Sequence, residues 1–72
     1  MKNLEVRHYL DIYIKRKEMQ EKGITHPSEQ IKEFTRNFVE KLLTYPLNEE
    51  IILTENGSFF DSEGNFIMKI PN

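Results

Sequence analysis

Cysteine, alanine and tryptophan are all missing from this 72-residue chain. Without cysteine there can be no disulfide and no thiolate zinc site. The two histidines, His8 and His26, are too few for a metal cluster, so no metal and no cofactor is expected. Glycine and proline are also scarce, three of each, and each one therefore marks a particular place in the chain. No run approaches the ~18 apolar residues of a membrane span. The start, Met1-Lys2-Asn3-Leu4-Glu5, turns charged where the apolar region of a secretory signal would lie, so the expected location is cytoplasmic. The absence of alanine, beside many Lys, Ile, Asn, Glu and Phe, is the usage of an AT-rich coding sequence, as in low-GC bacteria and their phages.

A chain this short is expected to form one domain over residues 1–72 and to bury only about 60% of its unfolded surface. Small domains commonly add disulfides, a metal or a second subunit. With the first two excluded, a homodimer is one expectation.

Charge of one sign is missing from most of the last third. Residues 47–72 carry Glu49, Glu50, Glu55, Asp61 and Glu63 against Lys69 alone, a net −4. Residues 1–46 carry nine basic and seven acidic groups, a net +2. Asymmetry of this kind points to a polar interaction surface.

The apolar pattern predicts two helices and then a change of period. Over 4–22, Val6, Tyr9, Leu10, Tyr13 and Ile14 follow helical spacing, with Ile12 and Met19 on a second stripe. Asn3 would be the N-cap, and Asp11–Lys15 and Glu18–Lys22 are i,i+4 pairs. Gly23 would end the helix in the left-handed conformation, with Ile24 packed on Met19. A second helix is predicted over 26–45, capped by Thr25 or His26 with Pro27 at its first position. Ile31, Phe34, Phe38, Leu42 and Tyr45 form its stripe, widened by Val39 and Leu43, and Pro46 ends it. The short link predicts antiparallel helices.

Residues 50–70 then read as a three-stranded meander. Asn56-Gly57 is a strong signal for a two-residue type I′ hairpin, and Asp61 to Asn65 is a turn cluster. A two-residue loop sets Leu53 opposite Phe60 and Thr54 opposite Phe59. One face would then hold Ile51, Leu53, Phe60, Phe66, Met68 and Ile70 against the helices. The other would hold Ile52, Thr54, Phe59, Ile67 and Lys69. The expected fold is α+β, two antiparallel helices packed on a small antiparallel β-meander in the order ααβββ.

The candidate chemistry is sparse. Asp61-Ser62-Glu63-Gly64-Asn65 resembles only the acidic start of a calcium loop and lacks the distant bidentate glutamate. Ser28 lies two residues from His26, but no third orienting group or oxyanion donor set accompanies them. Glu49 and Glu50 are strand neighbours and point to opposite faces. No enzyme is expected, since ~70 residues rarely enclose a substrate-sized pocket.

Binding is the expected function. The acidic meander, with Glu49, Glu50, Glu55, Asp61 and Glu63 around Ile52, Phe59 and Ile67, would contact a protein partner. The expected role is to inhibit or modulate a host macromolecule. One version is a local DNA mimic, in which carboxylates stand in for phosphates on a basic nucleic-acid-binding protein. Two alternatives stand beside it. The basic run Lys15-Arg16-Lys17 could bind nucleic acid weakly, although the charges around it are nearly balanced. The apolar second face could instead be only a homodimer contact.

Overall fold

The first residues pair as a strand before any helix begins. In the computed structural model, which describes residues 2–23 and 27–71, β1 is Lys2–Glu5 and α1 is Val6–Glu21. Leu4 and Val6 are two apart, so this stretch satisfies a strand period as well as a helical one. Pairing decides between them: Leu4 stands opposite Ile51 and Asn3 opposite Ile52, antiparallel. The predicted helix 4–22 thus loses its first two residues to the strand, and Asn3 is not its cap. Glu5 takes that position and makes no side-chain cap bond. The backbone does the capping instead. Val6 N–H donates to the Glu49 carbonyl at 2.9 Å and Arg7 N–H to the Leu47 carbonyl at 3.1 Å. Two of the four donors stranded at a helix start are satisfied by the segment that leads into β2.

Along α1, Val6 is fully buried and Tyr9 and Leu10 pack against the core. Ile14, expected on the same stripe, is 53% exposed, and Ile12 and Met19 are exposed as well. The expected Asp11–Lys15 and Glu18–Lys22 pairs are not among the ion pairs of the described residues, which are Arg7–Glu5 and Lys32–Glu29. At the far end Gly23 has φ +74°, and its N–H donates to the Gln20 carbonyl at 3.0 Å. This is one of the two bonds of the predicted Schellman ending. Its other half involves Ile24, which lies outside the described residues.

The second helix, α2, is Glu29–Leu42. Ser28 caps it, accepting from Ile31 N–H at 3.3 Å. Pro27 therefore precedes the helix instead of opening it. The cap positions expected at Thr25 and His26 lie outside the described residues. Most of the stripe is as predicted: Phe38 and Leu42 are buried, with Phe34 and, beyond the helix end, Tyr45 packed against the core, whereas Ile31 is half-buried and lines the groove shared with α1. Leu43 does not widen it and is exposed. Thr44 and Tyr45 N–H groups bond three residues back, to Lys41 and Leu42, so the chain winds down before Pro46. The helices are antiparallel: Tyr9 of α1 meets Phe38 of α2 at 5.6 Å between ring centroids, while residues 13–20 of α1 share a groove with residues 27–36.

The sheet is four-stranded and antiparallel in the order β1-β2-β3-β4, where β2 is Glu50–Leu53, β3 Ser58–Phe60 and β4 Phe66–Lys69. The fold is α+β as expected, but its element order is βααβββ. The three-strand meander gains β1 as an outer neighbour.

One extra loop residue changes the predicted register. Thr54 N–H donates to the Ser58 carbonyl at 2.9 Å, and Gly57 N–H to the Thr54 carbonyl at 3.1 Å. The loop is therefore Glu55-Asn56-Gly57. Gly57 has φ +84° and Asn56 does not have positive φ, so the type I′ turn is replaced by a three-residue loop ending in a left-handed glycine. Leu53 now faces Phe59 and Ile52 faces Phe60. A slip of one residue turns every side chain of β3 to the opposite face. Phe59 moves into the core and Phe60 moves out.

A β-bulge then corrects β4. Phe59 pairs with Met68 and Phe60 with Phe66, so Ile67 is the extra residue between them. Ile67 turns inward and is 6% exposed, whereas Phe66 turns outward. The core is thus Val6, Phe38, Leu42, Ile51, Phe59 and Ile67. At its centre the Phe38 and Phe59 rings lie 4.4 Å apart, with Tyr9 edge-on to both.

Candidate functional site

The sheet face opposite the helices is the candidate. Ile51, Leu53, Phe59, Ile67 and Met68 of the sheet, with Ile70 just beyond β4, join the core that Val6, Phe38 and Leu42 of the helices complete. The other face carries a row that crosses all four strands: Asn3, Ile52, Phe60 and Phe66, each opposite the next. Ile52 and Phe60 are half-buried by their neighbours. Phe66 is 60% exposed, and its ring meets Phe60 edge-on at 5.7 Å. Phe60 and Phe66 are the members that the sequence reading placed beneath the helices. The loop length of the hairpin and the bulge at Ile67 together bring them to the open face.

The same two features correct the expected contact set. Phe59, at 4% exposure, and Ile67 are core residues and cannot meet a partner without unfolding. Asp61 is buried too, and its carboxylate organises its own turn. Oδ1 accepts from Glu63 N–H and Asn65 N–H, both at 2.9 Å. Oδ2 accepts from the Tyr45 hydroxyl at 3.0 Å and from Asn65 Nδ2 at 3.2 Å. The Asn65 backbone bond, above all, holds the Asp61 pKa below the usual carboxylate value, against the opposing effect of burial. Tyr45 is pushed up by burial first, then by its bond to Asp61 and the charges of Asp61, Glu49 and Glu63. Those three acids are therefore gathered around the end of α2.

The remaining acids divide. Glu49 is half-buried and accepts from Ser62 N–H at 3.1 Å and from the Ser62 hydroxyl. Glu50 is exposed at the start of β2, opposite Glu5, which is itself bound to Arg7 at 2.8 Å. Glu63 is exposed in the β3–β4 turn. Glu55 is exposed too, but it sits in the hairpin loop at the other end of β3. Four acids thus share one end of the sheet, and Glu55 is separate from them.

The basic run is split by the helix. Lys15, Arg16 and Lys17 are all exposed. Arg16 and Lys17 line the groove between α1 and α2, and Lys15 does not. Among the described residues no group of three or more His, Cys, Asp or Glu side chains could hold a metal ion, and no helix is long and apolar enough to cross a membrane. His26 lies outside the described residues, so its spacing from Ser28 has no geometry to report. No protein-family model, curated protein or solved structure matches this chain.

Proposed function

We propose that this chain is a non-catalytic protein-binding module that inhibits or modulates a macromolecular partner through the open face of its sheet. One observation carries the reading. Ile52, Phe60 and Phe66 stand in register across β2, β3 and β4 on the face without helices. A sheet face that meets only water is normally polar. Phenylalanine is enriched in the cores of interfaces, where large rings fill pockets on the partner.

Charge specifies the partner. Glu49, Glu50 and Glu63 lie at one end of the apolar row, within a segment of net −4. The complementary surface is an apolar patch edged by lysine or arginine. Like charge opposes a second copy stacking on this face, so a different protein is the favoured occupant. A standard interface takes about 800 Å2 from each partner, roughly 15% of this chain's 5343 Å2 of accessible surface. The geometry favours this mode over DNA mimicry. Asp61 is spent on its turn, Glu49 holds Ser62, and Glu55 is at the far end of β3.

The test is affinity capture with the wild type, Phe66→Lys and Arg16→Glu, followed by titration of the captured protein. The expected result is a partner kept by Arg16→Glu and bound at least about tenfold more weakly by Phe66→Lys. Equal binding by Phe66→Lys would remove the sheet face from the account. Sedimentation at two concentrations covers the other occupant. A dimer of the wild type that is lost in Phe66→Lys would assign this face to a second copy.

A further inference from the structure

We infer that the groove between α1 and α2 is a second, separate docking site, and that its occupant is a short acidic amphipathic peptide segment. The groove has a volume of about 550 Å3. Its apolar lining comes from Tyr13, Met19, Pro27 and Ile31, and its cations are Arg16, Lys17, Lys32 and Arg36. Among the described residues no carboxylate lines it. In a chain with more acidic than basic residues, four cations around one apolar trough are a local reversal of charge.

The lining distinguishes the occupant. Apolar floor with cationic walls matches a segment that presents both a large apolar side chain and carboxylates. A nucleic acid would need a track of cations and free aromatic faces. Tyr13, the aromatic ring of this groove, already has the Lys17 ammonium 5.9 Å from its centroid. Glu18 and Glu21 are exposed on the same helix as Arg16 and Lys17 and would repel an extended polyanion. Glu29 reaches Lys32 at 3.6 Å from a fully solvated position, a weak pair that an incoming carboxylate can displace. From Tyr13 to Gln20 the α1 wall is about 12 Å long at the rise of a helix. That length takes two turns of a partner helix, with an apolar anchor and carboxylates at i,i+3 or i,i+4. The arginines can meet those carboxylates with two parallel hydrogen bonds each.

The experiment is fluorescence anisotropy on the full chain with three labelled probes. These are a synthetic helical peptide of interleaved Leu and Glu, the same peptide with Gln for Glu, and a 12-nucleotide single-stranded DNA. The acidic peptide should bind saturably, and the Gln peptide at least about tenfold more weakly. Arg16→Glu/Arg36→Glu should lose about tenfold for the acidic peptide, with Arg16→Lys/Arg36→Lys between it and the wild type. These side chains are exposed, so circular dichroism should show the variants folded. Phe66→Lys should bind the peptide unchanged, which separates this groove from the sheet face. The inference is overturned by no saturable binding of the acidic peptide, by equal binding of the Gln peptide, by tighter binding of the DNA, or by full affinity in the charge-reversed variant.

Discussion

Phe59 and Phe60 are adjacent in sequence and should respond oppositely to truncation. Phe59 is 4% exposed and its ring contacts those of Phe38, Phe34 and Tyr9 at centroid distances of 4.4, 6.2 and 5.7 Å. Phe59→Ala removes this ring from the centre of the core and leaves a cavity, at a cost of about 3–5 kcal/mol. A chain of this length is stabilised by roughly 4–11 kcal/mol in total. Phe59→Ala should therefore remove at least about a quarter of the total stability and up to all of it. Phe60 stands on the open face, half-covered by Phe66 and Ile52. Phe60→Ala should lose one edge-on aromatic contact and part of its burial, about 1 kcal/mol. Urea denaturation followed by circular dichroism reads both values. At about 4–8 °C per kcal/mol for domains of this size, melting temperatures should also separate widely. A Phe60→Ala variant less stable than Phe59→Ala would refute the three-residue loop and restore the two-residue register.

Other substitutions test single features. Among the described residues the Tyr9 hydroxyl is buried with no hydrogen-bond partner. Tyr9→Phe should therefore be neutral or stabilising by about 1 kcal/mol, and a clear loss of stability in urea would reveal a bond to that oxygen. Gly57→Ala places a Cβ at φ +84°, with ordinary contact to Ile70 at 3.5 Å. The backbone term alone should cost about 1–2 kcal/mol, and an unchanged urea midpoint would refute the left-handed loop ending. Asp61 has a folded-state pKa below its unfolded value of about 3.9. Its contribution is complete above the unfolded value and disappears as pH falls through the folded one. Melting temperature should accordingly fall on acidification below about pH 4, and Asp61→Asn should flatten that part of the profile. An unchanged profile in Asp61→Asn would place the acid sensitivity elsewhere.

Much of the fold is legible because it rests on long periodic signals. The stripe Phe34, Phe38, Leu42 needs no partner to be recognised, and Gly23 marks a helix end by its own conformational freedom. What is hidden depends on pairing. Lys2–Glu5 is a strand because β2 lies beside it, and Leu4 and Val6 fit either period. Asn56-Gly57 occurs in two-residue and three-residue loops alike. The choice is visible only when Phe59 is seen to fill the space between Phe38, Phe34 and Tyr9. Ile67 is invisible as a bulge for the same reason, since its extra position is defined by Phe59 and Phe60 on the next strand. The candidate site inherits this. An acidic, partly apolar sheet face was readable, with Ile52 and Glu50 on it, but its two phenylalanines depend on a register that sequence leaves open. Asp61 reads as a surface charge in the sequence because nothing local announces Tyr45, sixteen residues earlier, as its partner.

The open sheet face is most directly tested by placing the photo-crosslinker p-benzoylphenylalanine at position 66, with position 43, just past the end of α2, as an equally exposed control, and irradiating each variant in a cell extract. Phe66 and Leu43 are both well exposed, at 60% and 65%. The account predicts a discrete protein adduct from position 66 that is absent from position 43. No adduct from position 66, or the same adduct from both positions, would contradict it.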